Sequence, residues 1–194
     1  MNQAVAPLEE RKYRNKIHPK EFALWVACGS ILMMFAGFTS AYVVRQAAGN
    51  WLEFALPSVF YYSAGAMVVS SVLLQLSYLM FKNGNGTMYR LLLIVGFLLG
   101  ILFMYLQYEG WMEMYAMGID LSGNPSGSFV YVVSWVHAGH VVGGIGVLLV
   151  ALIHALGLKY YVTPARLLRF RMSLVYWHFV GFLWIYLLIF FTYS

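Results

Sequence analysis

Charged side chains are scarce in this sequence of 194 residues. Asp, Glu, Lys and Arg make up only 10% of it, whereas hydrophobic residues make up 62%; an average soluble domain has about 25% charged residues. A soluble chain of this length has too little interior to bury so much apolar surface. The composition therefore excludes a cytosolic enzyme, a nucleic-acid-binding module and a disordered protein, and it indicates an integral membrane protein.

Cysteine is also nearly absent, and charge is missing from the interior of the apolar runs. The single cysteine, Cys28, excludes a disulfide framework and a metal cluster built on cysteines. A proton- or ion-coupled transporter normally needs an ionisable side chain near the middle of the membrane. The sequence has no Asp, Glu, Lys or Arg in such a place, which argues against a coupled transporter.

Five uncharged runs of 18 to 38 residues separate the charged residues. A helix needs about 20 apolar residues to cross the hydrocarbon core, and the runs lack the alternating pattern of a membrane β-barrel. The longest run begins with the polar turn sequence 121–128, so it too holds one helix. The sequence therefore predicts an all-α bundle of five transmembrane helices, with spans at about 22–44, 58–81, 90–110, 129–157 and 173–193.

Basic residues are distributed unequally between the two ends of these spans. Eleven of the twelve Lys and Arg residues fall in the N-terminal segment or in the loops after the second and fourth spans, and only Arg45 falls on the other side. Since Lys and Arg favour cytoplasmic loops, we expect a cytoplasmic N-terminus and a C-terminus outside. Residues 1–20 are predicted to form a short cytoplasmic arm, and residues 21–194 a single membrane domain.

Small residues and histidines are the features of the spans that could matter for packing or chemistry. Three pairs with the four-residue spacing of close helix packing are Gly37 with Ala41, Gly96 with Gly100, and Gly139 with Gly143. The fourth span carries His137, His140 and His154, and the fifth carries His178. One interpretation is that these imidazoles make hydrogen bonds between helices. The alternative is a small b-type cytochrome in which His154 and His178, predicted to lie at the same depth, bind one haem.

Two sequence motifs in the last spans point to a family. Residues 137–144 have the sequence His-Ala-Gly-His-Val-Val-Gly-Gly, and residues 176–180 have Tyr-Trp-His-Phe-Val, followed by Gly181 and Trp184. These motifs resemble those of subunit III of the haem–copper oxidases, in the same order and on the corresponding helices. The span 25–42 is similar to a helix of the same family. The matching residues are His137, His140, Gly143, Gly144, Tyr176, Trp177, His178 and Trp184.

The resemblance implies a short, five-helix form of subunit III, without the first two helices of longer members. In the family this subunit carries no haem, copper or catalytic residue of its own. It packs against subunit I, which holds the haems and copper and reduces oxygen with electrons from cytochrome c or, in some members, quinol. We therefore expect an accessory subunit of the bacterial inner membrane that stabilises subunit I, supports proton uptake and binds phospholipid. Its expected partners are subunits I and II, other oxidase subunits and a larger respiratory supercomplex.

Three positions depart from the family pattern. Ile31 stands where the family often has Glu, Gly181 where the closing motif has Asp, and Ala138 where the histidine motif has Gly. The missing carboxylate at Ile31 removes a group that the resemblance would connect with proton handling. The packing role that the resemblance implies does not depend on it.

Three arginines lie within six residues before the last predicted span. Juxtamembrane basic residues attract anionic lipid by about 1 kcal/mol each. We predict that Arg166, Arg169 and Arg171 form an anionic lipid site beside His178. The alternative is that the three arginines serve only as topology signals.

Overall fold

The computed structural model describes residues 18–194, which form five long α-helices and, within that range, no β-strand. Each helix is long and apolar enough to cross a membrane, which confirms the predicted five-helix, all-α membrane fold. Of the predicted arm 1–20, residues 1–17 lie outside the described residues. The helices are α1 (Pro19–Ala47), α2 (Ser58–Lys82), α3 (Gly86–Ala116), α4 (Pro125–Gly157) and α5 (Pro164–Tyr193).

The helices extend beyond the predicted spans because local capping, rather than hydrophobicity, sets their ends. A side-chain acceptor satisfies a free N–H in the first turn of four helices, and three helices have proline at their first position, where no N–H is needed. The largest difference is at α5, which begins at Pro164 and not near residue 173. The capping residues are His18, Asn85, Asn124 and Thr163.

Four helices form a closed ring, and the fifth lies outside it. Neighbouring helices from α2 to α5 lie against one another, and α5 also lies against α2; α1 contacts only α4 and α5. The α2–α3 interface is the largest, because small residues let these two helices approach closely. There the Ser70 hydroxyl donates to the carbonyl of Gly96 at 2.7 Å, and the Ser77 hydroxyl donates to the carbonyl of Tyr89 at 2.9 Å.

The two ends of the bundle differ in charge and are named accordingly. The basic end contains the start of α1, α3 and α5 and the end of α2 and α4; here Glu21 forms an ion pair with Arg171. The acidic end is opposite and carries Glu53 and Asp120 in its loops. Aromatic clusters close each end: Phe81, Tyr89, Tyr160 and Phe170 at the basic end, and Tyr42, Trp51, Phe129 and Phe190 at the acidic end.

Candidate functional site

The two motif segments meet along the interface between α4 and α5, which is called the α4–α5 seam. The seam is defined by four residues of α4 and four of α5: His137, His140, Gly143 and Gly144, and Tyr176, Trp177, Val180 and Trp184. Trp177 is fully buried at its centre. A Cβ added at Gly100 of α3 would lie 2.7 Å from Cη2 of the indole, and one at Gly144 would lie 3.1 Å from its Cε3. Glycine is therefore needed at both positions, because the indole occupies the space that a side chain there would fill.

His137 joins α4 to α5 from inside the bundle. Its side chain is fully buried, and Nε2 lies 3.0 Å from the Val180 carbonyl. Since a carbonyl only accepts hydrogen bonds, Nε2 carries the proton and Nδ1 is the acceptor nitrogen of a neutral imidazole. The ring stacks on Trp184, with centroids 5.1 Å apart. These contacts match the interpretation of the imidazole as an interhelical hydrogen-bonding group.

His140 contributes to the seam through its backbone. Its carbonyl accepts a hydrogen bond from the Tyr176 hydroxyl at 2.9 Å, while its own Nδ1 donates to the Val136 carbonyl at 2.7 Å. A Cβ at Gly143 would lie 3.7 Å from the same Tyr176 hydroxyl. Seven of the eight motif residues thus lie together and are engaged in packing α4 against α5.

His178, the eighth motif residue, lies on another face of α5 and points toward α2. Its Nε2 is 3.2 Å from Oε1 of Gln75. The two residues line a cavity of about 440 Å³ between α2 and α5, together with Met67, Ser71, Gly181 and Phe182. This cavity, open at the side of the bundle, is named the α2–α5 groove.

The structure corrects the predicted pairing of His154 with His178. The bonds from Tyr176 to His140 and from His137 to Val180 set the register of α4 against α5, and they place His178 level with residues 138–139. His154 is then about 23 Å away along α4, at 1.5 Å per residue. The prediction of equal depth is wrong, because it counted the depth of His178 from Arg171, just before the predicted span 173–193, whereas α5 begins at Pro164. A single haem bound by both His154 and His178 does not fit this arrangement, because the two histidines line different cavities.

The cavity lined by His154 lies at the basic end, mainly between α4 and α5, and has a volume of about 800 Å³. It is named the basic-end cavity. Its polar lining includes Lys20, His154, Lys159, Arg166 and Arg169. A ring of positive groups around an apolar space suits an anionic headgroup above an acyl chain.

The three arginines of the predicted lipid site are not equivalent. Arg166 donates to the carbonyls of Lys159 at 3.0 Å and Tyr161 at 3.3 Å, and so also holds the α4–α5 loop. Arg169 lines the same cavity, whereas Arg171 forms the ion pair with Glu21. The structure brings Arg166 and Arg169 together, and it does not place His178 in their cavity.

Tyr160 forms the loop wall of the basic-end cavity. Its hydroxyl donates to the carbonyl of Phe81 at 2.7 Å, which ties the α4–α5 loop to the end of α2. Burial raises the pKa of the Tyr160 phenol above its ordinary value. The hydroxyl therefore stays protonated and available as a donor.

The departures from the family pattern have different surroundings. Ile31 is partly buried and packs against the apolar core. Ala138 is buried in α4. A Cβ at Gly181 would meet Met67 and Ser71 at ordinary contact distances of 3.5 Å, so the missing Asp of the closing motif leaves space in the α2–α5 groove.

Sequence reasoning missed two glutamines. Gln107 is fully buried and its amide donates to the hydroxyl of Ser63 at 2.9 Å, joining α3 to α2. Gln75 is the partner of His178. Ionisable side chains alone do not point to either glutamine, and the available signal is an uncharged amide inside an apolar run. Within residues 18–194, no group of three His, Cys, Asp or Glu residues is arranged to hold a metal ion.

Comparison with known proteins agrees with the motif resemblance. The family model for cytochrome c oxidase subunit III matches residues 56–194. The probable cytochrome c oxidase subunit 3 of Nocardia farcinica is 29% identical over 172 residues, covering 84% of this chain and 80% of that protein. The cytochrome c oxidase subunit 3 of Corynebacterium diphtheriae is 28% identical over 161 residues, covering 79% and 78%.

A further relative is similar over a shorter segment. The cytochrome c oxidase subunit 3 of Myxine glutinosa is 34% identical over 97 residues, covering 50% of this chain and 35% of that protein. The family model matches well over half of the chain, and five helices suit a multi-pass membrane protein. This chain therefore belongs to the cytochrome c oxidase subunit III family, as an accessory oxidase subunit of the bacterial inner membrane.

Proposed function

We propose that this chain packs on subunit I of an aerobic haem–copper oxidase, stabilises it and supports its proton uptake, without taking part in the redox chemistry. Subunit I would hold the haems and copper, and electrons would come from cytochrome c, the donor in the names of the similar proteins. The observation that carries this proposal is that the motif residues make packing contacts between helices. Seven of the eight hold α4 against α5, as expected of a packing subunit.

The distribution of charge supports an orientation for the bundle. The basic end carries Lys82, Arg90 and the arginines of α5, while Glu53 and Asp120 lie in the loops of the acidic end. Because Lys and Arg are retained on the cytoplasmic side during insertion, the basic end faces the cytoplasm in this proposal, and the C-terminus lies outside.

Removal of the whole subunit tests the proposed function. A depleted oxidase should keep its haem spectrum and most of its initial activity, and then lose activity progressively during turnover, because it has lost packing and not a redox centre. The measurement is an oxygen-consumption trace over many turnovers, with a reduced-minus-oxidised spectrum recorded beforehand. Missing haem absorbance in an otherwise complete depleted enzyme would contradict the proposal and favour a cytochrome.

The basic-end cavity is part of the same proposal, as a site for an anionic phospholipid. Its support is the combination of Arg166, Arg169 and Lys20 with an apolar wall that includes Val147, Val150 and Phe170. The double variant Arg166→Gln/Arg169→Gln should reduce bound anionic lipid per complex, measured by mass spectrometry of the purified oxidase. Each lost charge should weaken binding by about 1 kcal/mol.

Arg171→Gln is the matched control for this lipid experiment. It removes the same charge at the same end of α5, but from a side chain that pairs with Glu21. Its lipid content should equal that of the unaltered enzyme. If the double variant binds as much anionic lipid as the unaltered enzyme, the lipid site is wrong, and Arg166 and Arg169 serve only as topology signals.

A further inference from the structure

The α2–α5 groove contains polar groups at a depth where lipid offers no hydrogen bonds. Lys82 at the end of α2 and Arg171 on α5 mark the charged level of the basic end. Gln75 and His178 each lie seven residues further into the bundle, about 10 Å at 1.5 Å per residue, and Ser71 lies one turn deeper. Acyl chains cannot satisfy a side-chain amide, imidazole or hydroxyl there.

Several hydrogen-bonding atoms in the groove have no partner within the described residues. After the contact between His178 Nε2 and Gln75 Oε1, Nδ1 of the imidazole and the amide N–H groups of Gln75 are still free. The hydroxyl of Ser71 also bonds to nothing in the described part of the chain. Together these atoms form a polar stripe on an otherwise apolar wall.

The other two partly exposed imidazoles of the spans behave differently. His140 bonds through Nδ1 to the carbonyl of Val136, four residues earlier, and His154 bonds in the same way to Val150, each at 2.7 Å. His178 instead turns its ring toward α2 and bonds through Nε2 to Gln75, so that its free nitrogen, Nδ1, and the free amide N–H groups of Gln75 lie together in the groove. In hydrocarbon these neighbouring atoms are satisfied when a polar group enters the groove.

The shape of the groove suits another helix. Its α2 wall is formed by Met67, Ser71 and Gln75, which follow one another at four-residue spacing, and its α5 wall by His178, Gly181 and Ile185. A groove with this spacing over three turns accepts the side-chain ridge of a third helix. Because Gly181 and Ser71 are small, the floor of the groove is deep enough for a partner helix to approach closely.

We propose that the α2–α5 groove seats a transmembrane helix of another oxidase subunit, and that a polar side chain of that helix bonds to Gln75 and His178. The proposal rests on the proposed function, since it takes the partner from the same oxidase. It assigns to His178 a role different from that of the other seven motif residues. Those close the chain on itself, whereas His178 faces the partner.

Photo-cross-linking in the assembled oxidase tests the proposal. The photoreactive residue p-benzoyl-phenylalanine replaces Phe182, whose side chain is 74% exposed beside the groove. Irradiation of membranes should give a product that contains this chain and a different oxidase subunit, identified by mass spectrometry. Products with lipid alone, or with a second copy of this chain, would overturn the proposal.

A second set of variants tests the polar stripe. In the same cross-linking background, Gln75→Leu/His178→Leu should lower the yield of the product about fivefold or more, as expected for losing membrane hydrogen bonds. His178→Gln is the matched control, because it keeps a hydrogen-bonding side chain, and it should retain most of the yield. An undiminished yield in the leucine variant would overturn the role of the stripe.

Co-purification separates failure of this inference from failure of the proposed function. A tagged form of the unaltered chain should bring down subunits I and II. If it does so while position 182 cross-links to no protein, only the groove assignment is wrong. If it brings down no oxidase subunit, the proposed function itself is wrong. Circular dichroism of the purified leucine variant should show unaltered helix content, because the substituted side chains line the open groove and not the apolar core.

Discussion

Helix α5 uses adjacent residues for opposite purposes on two of its faces. Trp177 lies in the α4–α5 seam between two glycines, and its neighbour His178 lies in the α2–α5 groove. Successive residues of a helix point about 100° apart, so one step along the chain separates an interior position from an outward one. The seam side chains face the chain's own helices, whereas Gln75 and His178 also keep hydrogen-bonding atoms free at the open side of the groove. A single motif therefore contains a residue that packs inside the bundle, Trp177, and a residue that lines an open groove, His178.

The largest expected effect comes from filling the seam. Gly144→Leu would drive a branched side chain into the Trp177 indole, which already lies 3.1 Å from the Cβ position. Because the buried ring has no space to move into, the substitution should destabilise the chain by about 3 kcal/mol. The measurement is the midpoint of unfolding in mixed micelles with increasing dodecyl sulfate, followed by tryptophan fluorescence.

Gly146→Leu is the matched control, two residues further along the same helix. A Cβ at Gly146 meets no atom within 4 Å, and the position is exposed. Its unfolding midpoint should stay close to that of the unaltered chain. Equal losses in the two leucine variants would mean that helix flexibility, and not the fit around Trp177, explains the glycine.

Removal of the buried imidazole should have an intermediate effect. His137→Leu loses the hydrogen bond to Val180 and the stack on Trp184, which together should cost about 1–2 kcal/mol. His140→Leu is the comparison, because the bond from Tyr176 goes to the backbone carbonyl of residue 140 and survives the change. The same unfolding assay should show the smaller loss at His140; a reversed order would contradict this account of the seam.

The smallest effect is expected where α1 joins the bundle. The hydroxyls of Thr39 and Tyr186 lie 3.1 Å apart, and this contact links α1 to α5. Thr39→Val keeps the shape and removes the bond, which should cost about 0.6 kcal/mol. A loss as large as that of His137→Leu would show that α1 depends on polar contacts more than its sparse packing indicates.

The number and kind of elements followed from hydrophobicity, whereas their ends did not. An uncharged run long enough to cross the membrane must be helical, since every backbone group needs a partner there. The position of Pro164 and the cap at Thr163 set the start of α5, and the charged residue Arg171 lies inside the helix. That difference at the start of α5 is why the prediction of equal depth for His154 and His178 was wrong.

The glycine pairs show what spacing alone could not reveal. Gly96 and Gly100 are in close contact with α2 and α5, as the spacing predicted, but Gly37 and Gly139 meet nothing within 4 Å. A four-residue repeat places two residues on one face of a helix without indicating which face it is. The direction of that face depends on neighbours that lie far away in the sequence. For the same reason, no pattern in the sequence around Gln75 indicates that its side chain faces His178.

The burial of Trp177 between Gly100 and Gly144 has a consequence for how the chain is made. The α2–α3 hairpin has a loop of three residues, 83–85, and such local pairs close quickly. The indole arrives only with the last helix, and it contacts two helices synthesised before it. The clefts beside Gly100 and Gly144 are therefore filled only after residue 177 has entered the bundle. A chain that stops before residue 177 should leave both clefts without their ring, although α1 to α4 are already made.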